Sequence, residues 1–352
     1  AHPGYNIVYA DRFDTIYYLS NAKMPIRDPH FNWKSTLPGN ISRTLWSTFH
    51  PLEDLPQVLN PPSGYVYNTN HSPFKATDPS DNLSQDRYDA TMGYETHDNN
   101  RSLRVMELME QFAGQHTDGK ISFEEFKSTK YDLQLPGKLA YPVNIDSSFL
   151  LNEKEYPAIG DLILTVKNWD RKGTIDSKGA AIFAIMFYWI ADKYKADENF
   201  NVLTKDLCVE AYQYARQHLL RNFGTTLVTL GEFQRLERGG WSIPLPGLPD
   251  VLAAMYSTPS ENGRVKGTVG ECYISLIKFT PAGPELQTVN AFGASNQSRS
   301  DHYKDQMELF QHQQTKTMTL NEDLVYRFAK TVYHPEVLYK LPVTARLTRT
   351  KR

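Results

Sequence analysis

Residues 60–73 read Asn60-Pro61-Pro62-Ser63-Gly64-Tyr65-Val66-Tyr67-Asn68-Thr69-Asn70-His71-Ser72-Pro73: a short aromatic and β-branched run that ends in two asparagines and stops at a proline. A side-chain amide at a strand end is a neutral hydrogen-bond donor that never titrates, which is what a developing oxyanion requires. Asn68 and Asn70 are therefore candidates for acyl-transfer chemistry. The same residues also suit a turn, because asparagine bonds its own backbone and tolerates left-handed conformations. His71, next to Asn70, is a candidate wall of a substrate pocket or a structural histidine.

Two other constellations compete for a function. Residues 114–125 imitate a calcium-binding loop, with Asp118, Gly119, Ile121 and Glu125 in the expected places. Gly114 and His116 occupy the first and third positions, which removes two carboxylate ligands. The competing reading is a helix start capped by Ser122, with Glu125 closing a capping box. His302 and Asp305 stand three residues apart and suit a metal pair or relay, but no third ligand is nearby and capping or packing is the plainer reading. The sequence carries neither a phosphate-cradling glycine loop nor a Cys-x-x-Cys zinc pattern.

The 352 residues allow one large domain or two to three ordinary ones, and 40% hydrophobic content allows a sizeable core. Formal net charge is -2, so no basic field exists to draw the chain to nucleic acid. The longest apolar run, residues 179–191, is shorter than the ~20 residues of a membrane span and reads as a buried helix. Cys208 falls in a helical pattern and Cys272 in a strand pattern. Both are expected as buried free thiols, with a disulfide left open.

These residues need elements to place them. Residues 5–10 and 15–19 read as a hairpin, with 65–67 as a further short strand. Helical spacing marks 101–112, with Asn99 or Asn100 as cap, and recurs from Ser122 to 131 and over 160–169, 178–195, 204–222 and 232–238. Residues 271–279 and 286–292 read as a second antiparallel pair, followed by helix over 301–311. The order β, α, β predicts an α+β protein in three stretches: 1–75 strand and loop, 76–240 mainly helical, 241–352 strands and helix. They are expected to form one interdependent unit in which the two strand groups join one sheet.

Several ordered motifs resemble the penicillin acylase and acyl-homoserine lactone acylase family. Residues 60–73 are similar to its Asn-Pro-x-Ser-Gly, strand, Asn-x-Asn-x-x-Pro segment. Tyr9-Ala10-Asp11-Arg12-Phe13-Asp14-Thr15-Ile16-Tyr17 looks like its Ala-Asp-x-x-Gly-x-Ile-x-Tyr hairpin, with Asp14 at the turn glycine. Met24-Pro25-Ile26-Arg27 resembles its Pro-x-Arg. Residues 234–240 with 244–247 resemble its Arg-Gly…Leu-Pro-x-x-Gly stretch. Gly293-Ala294-Ser295 with residues 300–306 resembles its Gly-x-Ser…Ser-x-His-Tyr-x-Asp-Gln signature. The matches run over residues 5–315.

The resemblance implies an N-terminal-nucleophile hydrolase. The fold it implies is the C-terminal portion of an αββα sandwich with a large helical insertion, corresponding to part of the large, β chain. Asn70 matches the oxyanion asparagine, and Arg101, in Asn100-Arg101-Ser102-Leu103-Arg104-Val105, matches an arginine that orients active-site groups. The implied activity is hydrolysis of N-acyl amides, either acyl-homoserine lactones or penicillin-type side chains. The nucleophile is a serine at a chain terminus, whose own amine is the base. Ala1 has no hydroxyl, so the chain alone is expected to be an inactive piece. Its expected partners are the small α chain and the N-terminal part of the β chain of the same precursor. A periplasmic or exported location is implied. No cofactor is required; calcium remains a candidate through Asp28-Pro29, which falls where some family members build part of a calcium site. The competing class is a non-catalytic structural or calcium-binding module.

Overall fold

Strand β1 (Tyr5–Ala10) and strand β2 (Ile16–Asn21) pair antiparallel from Tyr5 opposite Asn21 to Ala10 opposite Ile16. Asp14 makes the turn at φ 60°, and the Asp11 carboxylate accepts the Phe13 and Thr15 N–H groups. The expected hairpin and its aspartate turn are both present. The computed structural model describes residues 4–140, 144–193, 203–329 and 331–332.

The third strand of this sheet is β3 (Gln57–Leu59), not residues 65–67. Asn60, at φ 46°, turns the chain out of the sheet, and its side chain accepts the Ile16 N–H at 2.8 Å. Residues 65–67 run extended beside 76–77 without a ladder: the Tyr67 N–H donates to the Ala76 carbonyl and the Thr77 hydroxyl to the Tyr65 carbonyl.

Helix α1 (Asn100–Gln115) starts at an Asn99 capping box, and α2 (Phe123–Lys130) at the Ser122/Glu125 capping box. Glu125 is occupied by the Ser122 N–H and by His116 at 2.6 Å, so the calcium-loop imitation is a helix start. Helices α3 (Asp146–Phe149) and α4 (Gly160–Lys167) precede α5 (Lys178–Lys193) and α6 (Lys205–Phe223). The apolar run over 179–191 is α5. Ten of its residues are buried, and it forms the centre of the largest core with α4 and α6.

After α7 (Leu230–Phe233) the chain becomes strand β4 (Gln234–Arg238), where helix is expected over 232–238. Gln234 is fully buried and its amide donates to the Leu245 and Gly247 carbonyls, partners that a helix would not offer. Strands β5 (Trp241–Pro244), β6 (Met255–Pro259) and β7 (Val265–Gly270) complete a four-stranded sheet in the order β5-β4-β7-β6. The second expected hairpin is β8 (Tyr273–Thr280) with β9 (Gly283–Asn290). Helix α8 (Met307–Gln311) is shorter than the expected 301–311, because the Ser300 hydroxyl accepts the His302 N–H and holds 300–303 in turns. Strand β10 (Lys316–Met318) joins β9, and α9 (Glu322–Phe328) follows.

The two hairpins do not share a sheet. β1-β2-β3 and β10-β9-β8 are separate three-stranded sheets among the described residues. Ile274, Leu276 and Val289 bury against Leu236, Leu245 and Met255, whereas Leu19 packs on Met24, Leu55 and Met92. Cys208 is buried as expected. Cys272 is exposed and precedes β8, its carbonyl accepting the Ala291 N–H, so the expectation of a buried strand thiol fails there. Neither cysteine is in a disulfide.

Candidate active site

Asn70 sits at the tip of a turn that its neighbours build. The Asn68 side-chain oxygen accepts the Asn70 N–H at 2.9 Å, and Asn70 takes φ 59°, the left-handed region that asparagine enters more readily than most residues. Its side chain is exposed and lines a cleft of about 330 Å³ with Tyr5, Asn6, Ser20, His71 and Tyr94. The Asn70 side-chain oxygen accepts from Nη2 of Arg101 at 3.0 Å. With Oδ1 engaged by a cation, the amide NH₂ is what Asn70 has left to offer, and it has no protein partner among the described residues. The two residues singled out in the sequence are therefore in direct contact.

Helix α1 supplies the second half of the site. At its first turn, Asn99 Oδ1 accepts the Ser102 N–H at 2.9 Å, and the Asn99 N–H donates to the Ser102 hydroxyl at 3.0 Å. Asn99 Nδ2 donates to the Thr69 carbonyl at 2.8 Å and the Asn70 carbonyl at 3.2 Å. Asn100 reaches in the opposite direction: Nδ2 donates to Asp250 Oδ2 at 3.0 Å and Oδ1 accepts the Ala140 N–H at 2.6 Å. The Tyr256 hydroxyl donates to Asp250 Oδ1 at 2.7 Å. Burial pushes the Asp250 carboxyl above its ordinary pKa, against the pull of these hydrogen bonds and of the Arg101 charge.

A cation in the first turn of a helix lies against the helix dipole. Arg101 occupies that position, and its Nε is buried without a hydrogen-bond partner among the described residues. The carboxyl near it is that of Asp250, on whose pKa the Arg101 charge acts downward. Sequence patterns marked Asn99 only as a cap and gave no signal for Asp250 or Tyr256. Asp250 is 150 residues from Asn100, and nothing in local spacing reveals that pairing.

His71 is buried and stacks on Tyr67, with centroids 4.7 Å apart. Its Nδ1 accepts the Thr69 N–H at 3.1 Å, so the ring proton is on Nε2, which donates to the Lys75 carbonyl at 2.7 Å. Burial lowers its pKa. Both ring nitrogens are engaged within the chain, so His71 can offer the cleft a surface but no spare hydrogen bond. Lys75 and Asp98 form an ion pair at 2.6 Å beside this turn.

The other sequence candidates stay apart from this cleft. His302 Nδ1 meets Asp305 at 2.8 Å on an exposed turn. The Asp28 carboxylate takes the His30 N–H, the His30 ring and Arg43 Nε at 2.6 Å. Those bonds, the two from His30 foremost, hold its pKa down at about 2. Among the described residues, no three His, Cys, Asp or Glu side chains converge as a metal site.

Comparison with known proteins gives this geometry its relatives. The sequence model of the penicillin amidase family matches residues 1–327. An acyl-homoserine lactone acylase PvdQ of Pseudomonas fluorescens is 30% identical over 98 residues, covering 27% of this chain and 13% of the relative. That of Pseudomonas putida is 34% identical over 82 residues, 22% of this chain and 11% of the relative. The matched stretches thus span well under two thirds of these curated relatives. In three dimensions, thermostable penicillin G acylase from Alcaligenes faecalis matches 96% of this chain and 68% of its own, with a TM-score of 0.51 at 15% identity. That likeness is one of fold, a mixed arrangement of helices and sheets. A family match over residues 1–327, which include every residue that lines the cleft, makes the chain a member of the penicillin amidase family.

Proposed function

We propose that this chain forms the oxyanion-binding wall of an enzyme that hydrolyses N-acyl amides. Asn70 Nδ2 donates to the tetrahedral oxyanion, Arg101 orients the Asn70 amide, and His71 closes the cleft wall. The observation that carries the reading is the Arg101 Nη2 to Asn70 Oδ1 hydrogen bond at 3.0 Å, which turns a side-chain amide into a donor of fixed polarity. The names of the similar proteins support two substrate classes, acyl-homoserine lactones and penicillin-type amides.

The nucleophile in this reading is the hydroxyl of a serine at a chain terminus, contributed by a companion segment of the same precursor. Its α-amine takes the hydroxyl proton as the oxygen attacks the acyl carbon, and returns it to the leaving amine. Water then releases the acid from the acyl-enzyme. An open edge supports a companion: among the described residues β1 ends its sheet, and Tyr5 (60% exposed) and Val8 (50%) lie bare on opposite faces. Tyr5 and Asn6 also line the Asn70 cleft, so a strand added there would reach the site. In the whole protein the β1–β3 sheet belongs to an αββα sandwich, in a periplasmic or secreted enzyme. Stretches 1–75, 76–240 and 241–352 act as one unit, tied by the Asn70–Arg101 and Asn100–Asp250 bonds.

The test compares the full-length precursor with the isolated chain. The precursor should release amine from N-acyl-homoserine lactones or phenylacetyl amides, and the isolated chain should not. No turnover by the precursor on either class would refute the reading. So would turnover by the isolated chain that disappears when a serine within it is replaced.

A further inference from the structure

Asn99 is 7% exposed and every polar atom of its side chain is engaged. Oδ1 accepts the Ser102 N–H at 2.9 Å, as a helix cap should, and the Thr69 hydroxyl at 3.2 Å. Nδ2 donates to the Thr69 and Asn70 carbonyls at 2.8 and 3.2 Å. Capping needs only the oxygen, and aspartate, serine or threonine would serve as well. The two bonds from Nδ2 are surplus to that task. They fall on the two carbonyls that flank the Asn70 Cα, one from Thr69 and one from Asn70 itself, whose side chain is held from Arg101, two positions beyond Asn99. Asn70 meanwhile keeps φ 59°, a left-handed conformation that asparagine tolerates and that these bonds hold in place.

We infer that Asn99 is a positioning residue for Asn70, its side-chain NH₂ clamping the Thr69 and Asn70 carbonyls to the start of α1 and so setting the direction in which the Asn70 amide donates. The inference rests on the reading of Asn70 as the oxyanion donor. One helix terminus then grips Asn70 twice, by its backbone through Asn99 and by its side chain through Arg101. Asn100, between them, anchors that terminus to Asp250 on the far side. Because the clamp is a neutral amide, it does not loosen with pH.

The test uses the full-length protein. Asn99→Ser and Asn99→Asp keep the cap oxygen and lose both donors. Each should keep its Tm within about 5 °C of wild type. Each should lower kcat for N-acyl amide hydrolysis about 10-fold or more, with KM within about 3-fold. Amide hydrogen exchange is read on the same samples: the Asn70 N–H should exchange about 10-fold faster while the interior of α1 stays protected. A kcat within about 2-fold of wild type in both variants would overturn the inference. So would faster exchange along the whole of α1 with a matching fall in Tm, which would make Asn99 a cap and nothing more. A wild-type protein without turnover would instead sink the oxyanion reading, and the exchange arm would still decide whether Asn99 holds the loop.

Discussion

If Arg101 acts on the reaction through Asn70, the two residues should behave as one unit in a double-mutant cycle. Asn70→Ala in the full-length protein removes an oxyanion donor, and kcat should fall by ~10²–10³. Arg101→Met removes the charge-assisted hydrogen bond that fixes the amide, a contact 3.0 Å long in which guanidinium meets side-chain oxygen. Such bonds contribute about 1.5–3 kcal/mol, so losing the orientation should cost about 10- to 100-fold. Once Asn70 is alanine there is no amide left to orient, and adding Arg101→Met should change kcat by less than about 3-fold. The coupling energy should then equal the whole effect of the arginine substitution. Asn70→Asp is the informative third variant: its carboxylate keeps a partner for Arg101 and preserves the fold, yet it offers no N–H and should be as slow as the alanine variant. The assay is kcat from initial rates of amine release, with thermal unfolding of every variant as control. Losses that multiply independently would refute the orientation argument and leave Arg101 with some other role.

Three further outcomes check the structure itself. Burial raises the Asp250 carboxyl above 3.8, so the folded chain holds that proton more tightly than the unfolded one. Its contribution to stability is complete below the unfolded pKa and is lost as pH rises through the folded pKa; Asp250→Asn removes the titration, so urea unfolding should show the stability of wild type falling relative to the variant from pH about 4 upward, and a flat difference would be the contrary result. In the native chain, a chromogenic disulfide reagent should modify exposed Cys272 at once and reach Cys208 only on unfolding, since burial pushes the Cys208 thiol up to about 11; two fast thiols would contradict the packing of α6. Gly179→Ala would place a Cβ 2.5 Å from Trp169 at the start of α5, and denaturant titration should find the chain destabilised by about 1–3 kcal/mol.

Much of the helical frame was legible because local chemistry agreed with its surroundings. Asn99, Ser122 with Glu125, and Thr204 all cap the helices that their spacing announces. The apolar run of α5 could scarcely be anything but a buried helix. The failures share a cause. Gln234–Arg238 carries charges at helical spacing, but its conformation is set by strand β5 and by carbonyls at 245 and 247. The aromatic run 65–67 has strand composition, yet Tyr67 spends its ring on His71 rather than on a sheet neighbour. Asn70 and Arg101 were legible as motif positions. That they touch, and that Asn99 and Asp250 support them, depends on contacts 29 to 150 residues apart, which no local pattern records.

The Asn70–Arg101 contact also acts as a drawstring. Residues 71–98 leave and re-enter at one neck, tied by the bonds from Asn99 to 69 and 70, by Arg101, and by the Lys75–Asp98 ion pair. With the neck fixed, exposed stretches of the excursion can change length at small closure cost: doubling a flexible loop adds only about 0.6 kcal/mol. Gly93, Tyr94 and Glu95, near its far end, come back to line the cleft. The segment is anchored where Phe74, Ala76 and Met92 are buried. Side-chain changes at Tyr94 and Glu95, which face the cleft, would reshape what enters it while the donor and its orienting cation stay in place.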